Sequence, residues 1–457
     1  MEYAYTSYNI ETLDFDNEKV KSKIYKWNDT VSYTILNNDS STMSFAEETL
    51  KNYRSVILDD NNHILCFAPP NSIPSDQFIQ KYSGDTSCGL SGNGDVIPED
   101  VYMNEIIEGT MINLFYDPRI SSWQIATRGA IGGNYWFFRN NYSDDEASQT
   151  QKTFKQMFME CFATDATELN AIPFLESLPK NYSYSFVLQH PDNHIVLNVE
   201  RPTLYLVAVY DKRETTVHNI PQPVYEAWDI FANVRGIIEF PPRFSEPLYS
   251  ELISKYCSVQ SSYNRVGVMA THMKTGERCA ISNPAYEELK KLRGNNPNLQ
   301  YQYFALEQSG QTQLFLQHFP MYKKLFFQFS KQYQDFITNV HQSYFSYYVK
   351  KEGIPIAKKF FIHASSIHHN VFLPSITSGE KKIITRNIVK DYFDAMTPSE
   401  KLYYLNYDKR QLAKEKRKLK DQGDASAQGD LSASAQGDLS AHGYAQGAEE
   451  GVVGEDI

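Results

Sequence analysis

The feature that most constrains this chain is a change of texture near residue 300. Before it, short hydrophobic runs alternate with turn signals: Ser55–Asp59, Ile64–Phe67, Thr110–Tyr116, Trp123–Thr127, Tyr184–Gln189, Ile195–Val199, Leu204–Tyr210 and Val266–His272. Their β-branched and aromatic content and their short lengths favour strands. Helices are expected between them over Ser148–Phe162, where Phe154, Met157, Phe158 and Cys161 share a face, and over Val224–Val234. From about Tyr303 to Lys420 the spacing turns helical, with Phe315, Phe319, Tyr322, Phe326, Phe329, Tyr333, Phe336 and Val340 recurring at threes and fours around a break at Pro320. Further helices are expected near Ile388 and from Pro398. The fold class that follows is α+β: a domain of antiparallel sheets over 1–300 and a helical C-terminal domain over 301–420. Over 421–457 the chain is low in complexity, with SAQGDLSA at Ser426–Ala433 and again at Ser434–Ala441. With so little apolar mass to offset the entropy of ordering, it is expected to be a disordered tail.

A net charge of −11 argues against coating nucleic acid through bulk electrostatics, although a local basic groove remains compatible with it. Lys409–Lys420 is a strongly basic helical end, read first as a solvated face and second as a contact for nucleic acid or an acidic partner. The cysteines Cys66, Cys88, Cys161, Cys257 and Cys279 are scattered and odd in number, which suits neither a zinc site nor a disulfide framework. Adjacent His368 and His369 have no evident third ligand, so no metal site is expected. An acidic N-terminus and the absence of any run of 18 apolar residues predict an intracellular protein, cytoplasmic or in a virion, with no membrane partner.

Several segments carry a recognisable chemistry. Tyr53 to Leu58 places Arg54 ahead of a hydrophobic strand, and Cys66 to Asn71 ends a second one. Glu105-Ile106-Ile107-Glu108-Gly109-Thr110 precedes a third, and Trp123 to Asn134 contains Thr127-Arg128-Gly129. Downstream stand Tyr184 to Leu188, Asn193 to Val196, Val266-Gly267-Val268-Met269, and Gly276 to Tyr286 followed by Leu292-Arg293-Gly294-Asn295. In this order they resemble the motifs of phage-type RNA ligases of the covalent nucleotidyltransferase superfamily, in a degenerate, viral-like form. The similarity runs from about Arg54 to Asn406, and in its last third it is to the small helical domain of those ligases.

The resemblance implies a nucleotidyltransferase (ATP-grasp-like ligase) domain. In that family a lysine in K-x-D/E-G-[ST] attacks the α-phosphate of ATP and holds AMP, which divides one hard transfer into two easier ones. Here that position is Ile106, and no lysine lies between Lys81 and Lys152 to replace it. The carboxylate positions of two later motifs are Val187 and Val266, the phosphate-binding lysines of the last are Ala280 and Ser282, and a usual arginine is His194. Glu108, Gly109, Phe186, Arg54, Arg128 and Arg278 match, and the resemblance implies that they contact nucleotide or RNA phosphate. Opposing charges lost together leave no orphan ion in a desolvated cleft. The three arginines keep forks suited to phosphate oxygens.

The reading that follows is a catalytically inactive pseudo-ligase, without cofactor, acting in nucleic-acid binding or as a scaffold, in the setting of a large DNA virus. Its partners would be RNA or DNA at the arginines and other proteins at the helical domain and tail. Two readings stand beside it: an active ligase with a displaced nucleophile, using ATP and Mg, and a purely structural protein with a filled groove.

Overall fold

The computed structural model describes residues 7–9, 20–38, 50–83, 95–135, 152–162, 167–294, 296 and 298–415. The chain divides into two compact units, 1–295 and 296–451.

The first unit is built from sixteen described strands: β1 Ser7–Asn9, β2 Val20–Lys26, β3 Ser32–Asn38, β4 Arg54–Leu58, β5 Ile64–Cys66, β6 Val101–Glu105, β7 Thr110–Asp117, β8 Ser122–Thr127, β9 Ala130–Ile131, β10 Tyr182–Gln189, β11 Thr203–Arg213, β12 Thr216–Ile220, β13 Ile238–Glu239, β14 Arg243–Phe244, β15 Gly267–His272 and β16 Arg278–Ser282. They form three sheets. The largest has the order β1-β12-β11-β10-β7-β8-β9 with β13 against β11, and the smaller ones run β14-β6-β15-β16 and β2-β3-β4-β5. Apart from the parallel β11–β13 contact, all pairings are antiparallel.

Alternation along the strands sets the layers. Ile112 and Leu114 of β7, with Tyr184, Phe186 and Leu188 of β10, face a core shared with Phe154, Met157 and Phe158 of the helix Phe154–Glu160. On the opposite face of the large sheet, Phe115 and Ala126 pack with Tyr33, Ile35 and Ile57, while Ala208 and Tyr210 pack with Leu36, Val56 and Leu58. The β14-β6-β15-β16 sheet closes its own core with Phe78 of the helix Ser75–Lys81 and with Tyr249 and Leu252 of the helix Tyr249–Tyr256.

Seven of the eight expected runs are strands, with ends differing by one to three residues. Ile195–Val199 is not: its first three amides donate to a carboxylate instead of a sheet partner. The expected helix over Val224–Val234 is interrupted, with helical turns at Gln222–Tyr225 and Asp229–Val234. Thr153 starts the helix Phe154–Glu160 with a capping box closed by Gln156. Part of the helix expected over Ser148–Phe162 lies outside the described residues.

In the second unit the aromatic stripe packs as helix core. Phe315, on Thr312–His318, stacks on Phe326, on Lys323–Tyr344, with centroids 5.0 Å apart. Pro320 sits in the short turn between those helices. Further helices run Arg386–Asp394 and Pro398–Leu405, the latter capped by Thr397. His368 opens a π-helical turn, His368–Phe372, and stacks on Tyr348 at 3.9 Å. Among the described residues no group of three His, Cys, Asp or Glu is placed to hold a metal ion. Nor is any described helix long and apolar enough to cross a membrane. The 421–457 segment, Cys88 and the last residues of Lys409–Lys420 lie outside the described residues.

Candidate phosphate-binding site

Two strands and a turn bring the expected arginines together. Arg54 opens β4 and is buried, Arg128 lies half-buried in the β8–β9 turn, and Arg278 opens β16. Burial disfavours the charge of Arg54, and so do the neighbouring charges of Arg278 and Arg128. A guanidinium stays protonated regardless, so the penalty remains unless an anion offsets it. Among the described residues no carboxylate pairs with Arg54. Arg278 is oriented by donating Nε–H to the Pro70 carbonyl at 2.8 Å.

The local backbone explains how Arg54 is held. Ser55, fully buried, adopts φ +66° and forms a bulge, so that Leu36 pairs with Val56 while Asn37 pairs with Arg54. A non-glycine residue there costs on the order of 1–3 kcal/mol, and bulges of this kind re-aim a side chain. Asn37 accepts the Ser55 amide proton at 2.9 Å and donates to the Arg128 carbonyl at 3.0 Å. Ser55 Oγ donates to the Thr127 carbonyl at 3.3 Å. Asn37 and Ser55 therefore couple the Arg54 strand to the Arg128 turn. Neither was singled out in the sequence, where each reads as a polar residue beside a hydrophobic run.

The nucleophile end is different. Ile106 follows β6, is buried, and donates its amide to the Gly267 carbonyl at 3.0 Å. Val187 and Val266 are buried too. Arg278, Ala280 and Ser282 alternate along one face of β16, with Cys279 and Ile281 in the core on the other. Side chains at the two phosphate-lysine positions are thus placed on the non-core face, but they are a methyl and a hydroxymethyl group.

Two of the expected contacts have close partners within the protein. Glu108 is buried and fully used: its carboxylate accepts the amide protons of Ile195, Val196 and Leu197 at 2.7–3.2 Å and the Tyr286 hydroxyl at 2.8 Å. It anchors the irregular segment Ile195–Leu197. Phe186 lies on the core face of β10, 6.2 Å from the Phe158 ring centroid, and presents no face to a ligand. Successive residues of a strand point to opposite sides, so Phe186 and Val187 do not line one cleft. Gly109 is required by packing: a Cβ there would stand 2.5 Å from the Leu188 carbonyl oxygen and 2.7 Å from Val187 Cγ1.

The neighbouring lysines are engaged elsewhere. Lys51 and Lys81 contact Glu277 at 2.5 and 2.7 Å, and Tyr82 donates to it as well. Burial pushes the Glu277 carboxyl up, yet those donors hold it down at about 2. Asn71 is buried, its amide bonded to the Lys51 carbonyl, and His194 bonds the Pro191 carbonyl.

A mixed α/β chain of antiparallel sheets with a helical C-terminal region, and with ligase-like motifs in order, resembles the RNA ligases of the covalent nucleotidyltransferase superfamily. The RNA ligase of Rhodothermus phage RM378 is 25% identical over 210 residues, which is 41% of this chain and 45% of that protein. The chain thus matches less than half the length of that relative. No protein-family profile matches the chain. Among solved structures, a Naegleria gruberi RNA ligase mutant with ATP and Mn aligns at 9% identity and TM-score 0.30, covering 60% of this chain and 97% of that one. An Aquifex aeolicus protein assigned as an ATP-dependent DNA ligase aligns at 11% identity and TM-score 0.36, covering 69% and 70%. At those scores neither alignment carries a functional argument.

Proposed function

We propose that this chain is a non-catalytic RNA-ligase-like protein that binds nucleic acid through phosphate contacts at Arg54, Arg128 and Arg278, without ATP or magnesium. The observation that carries the reading is Arg54, buried beside two further guanidiniums and held there by the Ser55 bulge. A strained backbone that maintains a repulsive cluster is costly for folding alone and useful when a phosphate completes it. Ile106 offers no nucleophile, so the covalent step of the resembled family has no starting atom.

Incubation with labelled ATP or GTP and magnesium, followed by a denaturing gel, is expected to leave no label on the chain. A labelled oligoribonucleotide is expected to bind with a salt-dependent affinity, and Arg128→Ala should weaken it and lower the salt slope by about one. A robust covalent label overturns the non-catalytic part; salt-independent or absent binding overturns the rest.

The alternative of a displaced nucleophile has one observation in its favour. Burial lowers the Lys212 amine to about 8, against the opposing charges of Cys66 and Asp117. Lys212, however, neighbours the Tyr116 end of β7, whereas the Ile106 motif leads into its Thr110 end. Six rises of extended chain, from Thr110 to Tyr116, separate the two by about 20 Å. A labelled adduct abolished by Lys212→Met would establish it.

A further inference from the structure

A cavity of about 240 Å³ lies where the β2–β3 turn meets the edge of the large sheet. Its walls include Trp27, Gln124, Asn134 and the Lys155–Glu168 ion pair, closed at 3.1 Å. Trp27 is 37% exposed and is held on one side by an edge contact with Tyr33, at a centroid distance of 6.3 Å. Gly132, at φ +89°, keeps the backbone close to the indole: a Cβ there would stand 3.7 Å from Trp27 Cζ3 and 3.3 Å from Asn134 Nδ2. An aromatic wall with two carboxamides, each offering both donors and acceptors, suits a flat heteroaromatic ring with a polar edge.

The position of this cavity adds a second argument. Ile125, Gly132 and Asn134, which line it, flank the β8–β9 turn that carries Arg128. The strand that leads from Trp27 back toward the Arg128 turn is β2, an edge strand with Lys21 and Lys23 exposed on one face and Lys26, beside Trp27, exposed on the other. Lys23 donates to the Gly129 carbonyl at 3.4 Å, which fixes β2 beside that turn. Between residues 20 and 38 the only acid is Asp29. A basic strand about 20 Å long with an aromatic pocket at one end and an arginine cluster at the other matches a short polynucleotide, whose phosphates repeat and whose bases stack.

We infer that the Trp27 cavity is a nucleobase subsite for single-stranded nucleic acid, and that the lysines of β2 carry the strand from it to the arginine cluster. This rests on the nucleic-acid reading above and names where a base is held. The test is fluorescence anisotropy with the full chain and three labelled ten-nucleotide probes: single-stranded RNA, DNA of the same sequence, and an abasic sugar-phosphate oligomer.

The wild type should bind both base-containing probes more tightly than the abasic one. Trp27→Ala should weaken the base-containing probes by about 5- to 100-fold and leave the abasic probe unchanged, as removal of a stacking platform predicts. Trp27→Phe should restore most of the loss, and Asn134→Ala, at an exposed position, should change affinity in the same direction with no effect on folding. A tighter grip on RNA than on DNA would assign the 2′-hydroxyl as part of the recognised unit, and equal affinities would assign the base alone. If Trp27→Ala binds base-containing probes as tightly as the wild type while Arg128→Ala weakens all three, this subsite is wrong and the nucleic-acid reading stands. If the wild type binds none of them, both are wrong.

Discussion

At the start of β16, Arg278 sits beside the Arg54 and Arg128 guanidiniums, while at the end of the same strand Ser282 stands opposite Gly267, next to buried Val266 and Ile106. About 13 Å of extended chain separates the two regions. In one, charge is concentrated, buried at Arg54 and supported by a strained bulge. In the other, every position where the resemblance implies a reacting or phosphate-binding ion holds an apolar or small neutral group. Losing a whole set of opposing charges leaves no unpaired ion behind, whereas losing one arginine of a like-charged cluster would relieve repulsion. The cluster is therefore the region that folding alone gives least reason to keep. This contrast is why the proposed phosphate contacts are placed at Arg54, Arg128 and Arg278 and not at the Ile106 end.

Substitutions can break this contrast or sharpen it. The largest effect is expected from Glu108→Ala, which leaves three amides and the Tyr286 hydroxyl without their acceptor in the core. About 3–5 kcal/mol of stability should be lost in urea unfolding. If the variant instead melts like the wild type but binds nucleic acid less well, Glu108 is a ligand contact after all. Next comes Ile106→Lys. Introducing an amine among apolar neighbours should cost about 2–3 kcal/mol and still yield no covalent nucleotide, because the carboxylate positions remain Val187 and Val266. Label on this variant would mean that only one residue separates the chain from catalysis.

Arg54→Met should act oppositely, raising stability by roughly 1–2 kcal/mol at low salt by removing a buried like charge. Polyphosphate should raise the melting temperature of the wild type and have much less effect on the variant. The smallest effect concerns Lys212. Its folded value of about 8 lies below the unfolded one, so between roughly pH 8 and 10.5 the unfolded chain binds more protons and stability should rise with pH. The side chain is only half-buried, so the rise should be under about 1 kcal/mol and absent in Lys212→Met.

Much of the fold could be read from hydrophobic runs because those strands are buried on at least one face. β2 was not, since Val20–Lys26 is exposed along nearly its whole length and carries lysines at its edge. The arginines were found by their motif neighbours, and the structure brings them together as that order implied. What the sequence could not reveal is the use of a group whose type is right but whose direction is wrong. Phe186 and Val187 are adjacent, and only the pleat says which one faces the core. Glu108 looks like a ligand because carboxylates are seldom buried, but its acceptors are taken by amides more than 80 residues later. Asn37 acts through two backbone groups, Ser55 N–H and the Arg128 carbonyl, and such partnerships leave no pattern in the side chains.

Gly109 has a consequence for how relatives of this chain should be sorted. The Leu188 carbonyl forbids any side chain there, and Glu108 beside it holds Ile195 to Leu197 in place. Selection for folding alone would preserve this pair after every trace of nucleotide chemistry had gone. In this chain packing alone accounts for the Glu-Gly pair, so the residue two places before the glutamate has to be inspected before activity is assigned to any protein that carries it.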